Sequence, residues 1–88
     1  MIRRRVVVHG FVQGVFFRDT LRRQAVARGV AGWVRNNRDG TVEAVFEGDE
    51  PAVDALVTFC HEGPRGARVD RVDVLDEPME GLAAFSIS

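Results

Sequence analysis

One stretch near the start of the chain combines glycines with an arginine where a strand should pass into a helix. It runs from His9 to Arg18, follows three consecutive valines and precedes a segment of helical composition. The first backbone N–H groups of a helix have no partner inside the helix, and the helix dipole is positive there. Glycine lets the chain approach a ligand closely, and arginine adds a planar charged fork that matches phosphate. The stretch is therefore predicted to bind a phosphoryl group.

An ordinary strand-to-helix turn explains the same residues on spacing alone. In that interpretation, Gly10 and Gly14 serve the geometry of the turn and Arg18 serves solubility. Short glycine motifs produce many false matches. The choice between the two interpretations therefore depends on the rest of the chain.

Length and composition limit the class of protein. The 88 residues are 45% hydrophobic and 28% charged, which is typical of one globular domain. A net charge of −1 argues against nucleic-acid binding through bulk charge. The single cysteine excludes an internal disulfide and favours a reducing, cytoplasmic location. No segment has the length and apolarity of a signal peptide core or a membrane span, so no membrane partner is expected.

Hydrophobic periodicity predicts the element order β-α-β-β-α-β, and residues 84–87 allow a short fifth strand at the edge. The predicted strands cover about residues 4–10, 30–36, 41–47 and 68–75. The predicted helices cover about residues 18–28 and the segment from 49 or 50 up to Gly63. Two joined right-handed β-α-β crossovers give an antiparallel sheet with both helices on one face. The predicted fold class is therefore α+β, a ferredoxin-like sandwich formed by residues 1–88 as one domain.

Apolar spacing identifies the buried face of each predicted helix. The stripe of the first helix comprises Phe17, Leu21 and Ala25. The stripe of the second helix comprises Val53, Leu56, Val57 and Cys60. Because Cys60 lies on this stripe, we expect a core residue rather than a nucleophile.

Charged residues gather at two predicted element ends, of which the first is expected to be a solvated strand end and the second an ordinary helix start. The arginine run 3–5 precedes the valine strand, and an acidic cluster at 47–50 precedes the second helix. In the last long strand the alternation of apolar residues slips between Val69 and Val72, which indicates a β-bulge.

Asn36 is the second candidate for chemistry because it ends the second predicted strand, just before a hairpin turn at residues 37–40. In the predicted topology the first and third strands are central. A neighbouring strand end can bring Asn36 towards the glycine loop, although the sequence does not fix the distance.

Two blocks of the sequence resemble the signatures of the acylphosphatase family. The first is residues 10–18, GFVQGVFFR. The second is residues 32–36, GWVRN, followed by GTV at 40–42 and by Gly48. The blocks occur in the family's order, and the resemblance covers essentially the whole chain. Two independent blocks are far more specific than either one alone.

The resemblance implies an enzyme that hydrolyses acyl phosphates to a carboxylate and inorganic phosphate, with no metal or organic cofactor. Arg18 would be the catalytic arginine that binds phosphate, and Asn36 would hold the attacking water. The phosphoryl group would be held by the backbone amides of Val12, Gln13, Gly14, Val15, Phe16, Phe17 and Arg18. The side chain of Gln13 is expected to brace the loop, and a monomer is expected for a chain of this size.

Two other functions fit the same fold. RNA-recognition domains share the topology but stack bases on aromatic residues of the central strands, whereas Phe46 is predicted to face the core. A regulatory domain that senses an anion would need Arg18 and the loop but not Asn36. The presence of both residues favours the enzyme.

Overall fold

The computed structural model describes residues 1–88 as five strands and two helices. The strands are β1 (Ile2–Phe11), β2 (Ala31–Asn36), β3 (Val42–Gly48), β4 (Arg68–Glu77) and β5 (Phe85–Ile87), and the helices are α1 (Phe17–Ala27) and α2 (Glu50–Glu62). This order confirms the predicted β-α-β-β-α-β succession and the short strand that follows it.

The sheet has the strand order β4-β1-β3-β2-β5, so β1 and β3 are central as predicted. The first four strands pair antiparallel, but β5 pairs parallel with β2, with Val34 opposite Ile87. The predicted antiparallel sheet is therefore confirmed for the first four strands, and the added edge strand, whose direction the sequence left open, makes the whole sheet mixed. Strand β5 lies at this edge because the segment 78–84 carries the chain from β4 at one edge of the sheet to the other edge.

Both helices pack on one face of the sheet and bury the stripes that the sequence predicts. Phe17, Leu21 and Ala25 of α1 are buried, as are Val53, Leu56 and Cys60 of α2, whereas Val57 is only partly buried. They meet the valine side chains of β1 and the apolar residues of β3 in one cluster. Burial raises the pKa of the Cys60 thiol to about 12, which leaves the thiol un-ionised and confirms its place in the core.

A bulge in β4 lies opposite the end of β1, where the sequence predicts it. His9 pairs with Arg71 and Gly10 pairs with Val69, so that Asp70 is the extra residue. The backbones approach closely there, because a Cβ on Gly10 would lie 2.1 Å from the Arg68 carbonyl oxygen. Only glycine fits this position. The bulge therefore bends the sheet just where β1 passes into the glycine loop.

The helix-free face of the sheet is covered by an ion-pair network and by the segment 78–84. The Arg3 side chain is only 2% exposed and contacts Glu47 at 2.7 Å, Glu77 at 2.9 Å and Glu80 at 3.3 Å. The prediction that the arginine run 3–5 is a solvated strand end was therefore wrong. It failed because the covering segment is distant in sequence; the Glu80 amide that binds Glu47 lies 33 residues further along the chain.

The carboxylate of Glu47 fixes the covering segment. It accepts hydrogen bonds from the backbone N–H groups of Glu80 at 2.9 Å, Gly81 at 3.1 Å and Leu82 at 3.0 Å. Burial alone would raise the pKa of the Glu47 carboxyl, but these amides and Arg3 outweigh burial and hold it below its usual range. Glu47 is therefore charged in the folded protein.

We expect Glu47→Gln to lower the free energy of unfolding by about 3 kcal/mol, because it breaks a buried pair and leaves Arg3 short of one partner. Arg3 keeps Glu77 and Glu80, so the loss should lie at the low end for buried pairs. Urea denaturation measures it. The matched control is Glu62→Gln at an exposed position of α2, which should change stability by less than about 0.5 kcal/mol.

The same pair predicts a dependence of stability on pH. Because the pKa of Glu47 is lower in the folded state, its contribution is complete above the unfolded-state pKa, near 4.3, and is lost as the pH falls through the folded pKa. The stability gap between wild type and Glu47→Gln should therefore narrow below about pH 4. A gap that stayed constant down to acid unfolding would contradict the assignment.

Candidate active site

The loop between β1 and α1 contains two residues in the left-handed region. Gly14 has φ 75° and Phe16 has φ 62°, and Phe16 is the only residue other than glycine with a positive φ. Alternation of left-handed and right-handed residues is the backbone pattern of the anion-binding concavity called a nest. Helix α1 begins directly afterwards at Phe17, and its first backbone N–H groups have no partner inside the helix.

A cavity of about 270 Å³ opens at this loop. It is lined by Gly14, Phe16, Phe17, Arg18, Asp19, Asn36 and Ile87. The structure thus brings Arg18 and Asn36 to one space, which the sequence alone could not establish. Val12, Gln13 and Val15 do not line this cavity; the side chain of Val12 is buried in the core and Val15 packs against it.

Arg18 projects from the first turn of α1 with its charge available to an anion. One terminal nitrogen, Nη1, donates to the main-chain oxygen of Ser88 at 3.0 Å. No Asp or Glu side chain pairs with the guanidinium group, unlike the arginines of β1. The contact with Ser88 fixes the direction of the side chain, and the remaining N–H groups of the fork stay free for a ligand.

Gln13 joins the loop to the hairpin turn that follows Asn36. Its Nε2 donates to the main-chain oxygens of Asn37 at 2.7 Å and Thr41 at 3.0 Å. These two hydrogen bonds agree with the expected bracing role of Gln13. Because Asn37 directly follows Asn36, this one side chain sets the spacing between the loop and the second candidate residue.

The hairpin turn is itself held by a local side chain. Asp39 Oδ1 accepts the Thr41 N–H at 3.0 Å and the Thr41 hydroxyl at 2.6 Å. The Thr41 hydroxyl and then its amide hold the pKa of Asp39 below its usual range. The turn is a stable platform for the end of β2, because both of its ends are closed by hydrogen bonds.

Two cavity residues were missed by sequence reasoning. Asp19 follows Arg18 directly and forms an ion pair with Arg23 one turn later, which offsets its charge beside the anion site. Its place next to Arg18 at the helix start was the available signal. Ile87 had no such signal, because it reaches the cavity only through the parallel pairing of β5 with β2.

The two histidines bind different partners, far apart in the chain. His9 Nε2 lies 2.9 Å from Asp73 Oδ2, and His61 Nδ1 lies 3.0 Å from the main-chain oxygen of Val57. No group of three or more His, Cys, Asp or Glu side chains lies close enough to hold a metal ion. None of the helices has both the length and the apolar character needed to span a bilayer.

Fold and cavity together define a class of protein: a ferredoxin-like sandwich with a candidate anion site where β1 passes into α1. The acylphosphatase family model matches residues 4–87. An acylphosphatase of Rubrobacter xylanophilus is 62% identical over 79 residues, covering 90% of this chain and 72% of that protein. One of Haloarcula marismortui is 52% identical over 85 residues, covering 97% and 93%.

Comparison with solved structures leads to the same family. The crystal structure of acylphosphatase from Bacillus subtilis matches with a TM-score of 0.95 and 38% identity, covering 100% of this chain and 99% of that chain. An acylphosphatase from Coxiella burnetii matches with a TM-score of 0.94 and 34% identity, covering 99% and 92%. The chain belongs to the acylphosphatase family, which is a family of enzymes.

We expect Gln13→Ala to weaken binding of inorganic phosphate by roughly tenfold, because the loop loses the two hydrogen bonds that hold it to the hairpin turn. Stability should fall by about 1–2 kcal/mol. Calorimetric titration with phosphate and urea denaturation measure the two effects. Gln24→Ala on α1, whose side chain makes no such contact, serves as the control; equal phosphate affinity in all three proteins would contradict the bracing role.

Proposed function

We propose that this protein hydrolyses the carboxyl–phosphate bond of acyl phosphates and releases a carboxylate and inorganic phosphate. The observation that carries the proposal is the cavity shared by the glycine loop, Arg18 and Asn36. Membership of the acylphosphatase family supports the class of reaction. The loop conformation supports an anion as the ligand, because nest and helix N-terminus are both positively polarised.

The phosphoryl group is held by the Arg18 guanidinium and by backbone amides of the loop 12–18, of which Gly14, Phe16, Phe17 and Arg18 line the cavity. Negative charge on the three equatorial oxygens is then neutralised by fixed dipoles and one fixed charge. The contact between Arg18 and Ser88 supports this role, because it orients the guanidinium before substrate binds. Little reorganisation remains to be done during the reaction.

Asn36 positions the attacking water. Its side-chain oxygen accepts a hydrogen bond from water and aims the water oxygen at phosphorus, in line with the leaving group. The new O–P bond forms as the bridging O–P bond breaks, and the bonding pair leaves with the carboxylate. Asparagine is not a useful base, so a phosphate oxygen of the substrate takes the water proton. The carboxylate is a good leaving group and needs no acid.

The other functions have less support. A sensor of anions would not need Asn36 in the same cavity as Arg18. An RNA-binding sheet needs exposed aromatic residues on its central strands, whereas Phe46 is fully buried and Glu47 lies in the ion-pair network of the helix-free face. The single tryptophan, Trp33, lies on β2 rather than on a central strand. Its ring already makes cation–π contacts with Arg5 and Arg35, whose guanidinium carbons lie 5.3 Å and 4.9 Å from the ring centre.

We further propose that residues 1–88 act as one domain and as a monomer in the cytoplasm. The buried cluster includes residues from both helices and from β1, β2, β3 and β5, and Val69 and Val72 of β4 pack against it. All the elements therefore share one core, which supports a unit that folds as a whole.

The first test is hydrolysis of benzoyl phosphate by the purified protein in the presence of a chelator, followed by loss of substrate absorbance. We expect turnover well above background, since the proposed chemistry uses only amides, Arg18 and Asn36. No turnover by a folded protein would overturn the proposed enzymatic function. Phosphate binding without turnover would favour a regulatory domain that senses an anion.

Two substitutions separate the proposed roles. Arg18→Ala should lower kcat/KM by about 10²–10³-fold and weaken inhibition by inorganic phosphate, because it removes charge at the developing transition state. Asn36→Ala should lower kcat by roughly 10²-fold while inhibition by phosphate changes less than about twofold, because only the water loses its position. Arg22→Ala, on the same helix but outside the cavity, is the control. Near-full activity in both variants would rule out the mechanism.

A further inference from the structure

Phe16 is the most exposed large hydrophobic side chain of the protein, at 81%, yet it lines the same cavity as Arg18 and Asn36. Its neighbours in the loop behave differently, because Phe17 is buried and Val15 packs against the core. A single exposed apolar residue is unremarkable on most surfaces. At the rim of a proposed active site it needs a reason.

Backbone geometry does not supply that reason. Phe16 has φ 62° and ψ 26°, a left-handed conformation that glycine or asparagine adopts far more readily than phenylalanine. The ring does not compensate by packing into the core. Strained residues of this kind cluster at sites that bind ligands. An aromatic ring is therefore presented to the cavity at some conformational cost.

The geometry of in-line displacement indicates which group the ring meets. Water and leaving group lie on opposite sides of phosphorus. Asn36, which positions the water, ends β2, and Ile87 lies beside β2 because it pairs with Val34. Ile87 is thus on the side of the water. Phe16 lines the same cavity but belongs to neither strand, because it lies in the loop between β1 and α1. An acyl group that leaves on the side opposite the water therefore departs away from β2 and towards this loop.

The size of the cavity agrees with this arrangement. At about 270 Å³ it lies near the lower limit of ligand pockets, roughly 300–1,000 Å³. It holds a phosphoryl group and its water and leaves room for the near part of an acyl group beside Phe16. Phe16 is the aromatic surface at the rim of the cavity.

We propose that the Phe16 ring is the surface on which the acyl group of the substrate packs, so that the enzyme prefers acyl phosphates with an aromatic or extended apolar acyl group over acetyl phosphate. This inference rests on the proposed hydrolysis of acyl phosphates and adds the class of substrate. Offset stacking and burial of apolar surface supply the preference. The phosphoryl group is held by other atoms, so the ring affects the acyl half selectively.

The test compares kcat/KM for benzoyl phosphate with kcat/KM for acetyl phosphate. Phe16→Asn removes the ring and suits the left-handed backbone. We expect Phe16→Asn to lower the ratio of kcat/KM for benzoyl phosphate to kcat/KM for acetyl phosphate by about five- to tenfold, which is the range of one aromatic contact. Phe16→Tyr keeps an aromatic ring and should keep the wild-type ratio. The inhibition constant of inorganic phosphate, which reports the loop amides and Arg18, should change far less than the ratio.

Phe11→Asn is the matched control, since Phe11 is also exposed, at 56%, but lies outside the cavity. It should leave the ratio unchanged. Ile87→Ala tests the direction of the acyl group within the cavity and should change the ratio less than Phe16→Asn. If Phe16→Asn fails to fold, Phe16→Gly, which is also free at positive φ, replaces it.

Three results would overturn the inference. One is an unchanged ratio in Phe16→Asn with normal inhibition by phosphate. Another is an equal loss for both substrates together with weaker phosphate inhibition, which would mean that Phe16 only shapes the loop. The third is a larger change in ratio for Ile87→Ala. Failure of the folded wild type to hydrolyse either substrate is a different result, because it would overturn the proposed function itself.

Discussion

The buried carboxylate of Glu47 joins the central strands of the sheet to the segment that covers their helix-free face. It pairs with Arg3 on β1 and accepts three backbone amides from the segment 78–84. That segment leads directly into β5, whose pairing with β2 places Ile87 in the cavity and Ser88 against Arg18. An ion pair on one face of the sheet therefore contributes to the direction of a guanidinium group on the other face.

The two sides of the site are held by different means. The loop side is fixed by the start of α1, which follows it directly, and by the hydrogen bonds of Gln13 to the hairpin turn. The β5 side is fixed by the segment 78–84, which crosses the sheet and is held by Glu47. Loss of the Gln13 side chain should therefore disturb mainly the loop, whereas loss of the Glu47 carboxylate should disturb mainly Ile87 and the contact of Ser88 with Arg18.

Sequence patterns predicted the features that depend on short range. The stripes of α1 and α2, the bulge near Val69 and the glycine loop before Arg18 all follow from spacing along the chain. The burial of Arg3 and the parallel direction of β5 could not be predicted this way, because both depend on where residues 78–84 cross the sheet. The meeting of Asn36 with Arg18 needed the assembled sheet, although the two family blocks pointed to both residues.

The depth of Cys60 has a practical consequence for experiments on this protein. Its thiol is the only one in the chain and is fully buried, and burial raises its pKa to about 12. Thiol reagents react with the thiolate, so the folded protein is inert to them at neutral pH. A cysteine introduced on the surface would accept a fluorophore at one defined position without removal of Cys60. Slow labelling of Cys60 itself would then measure how often the core opens.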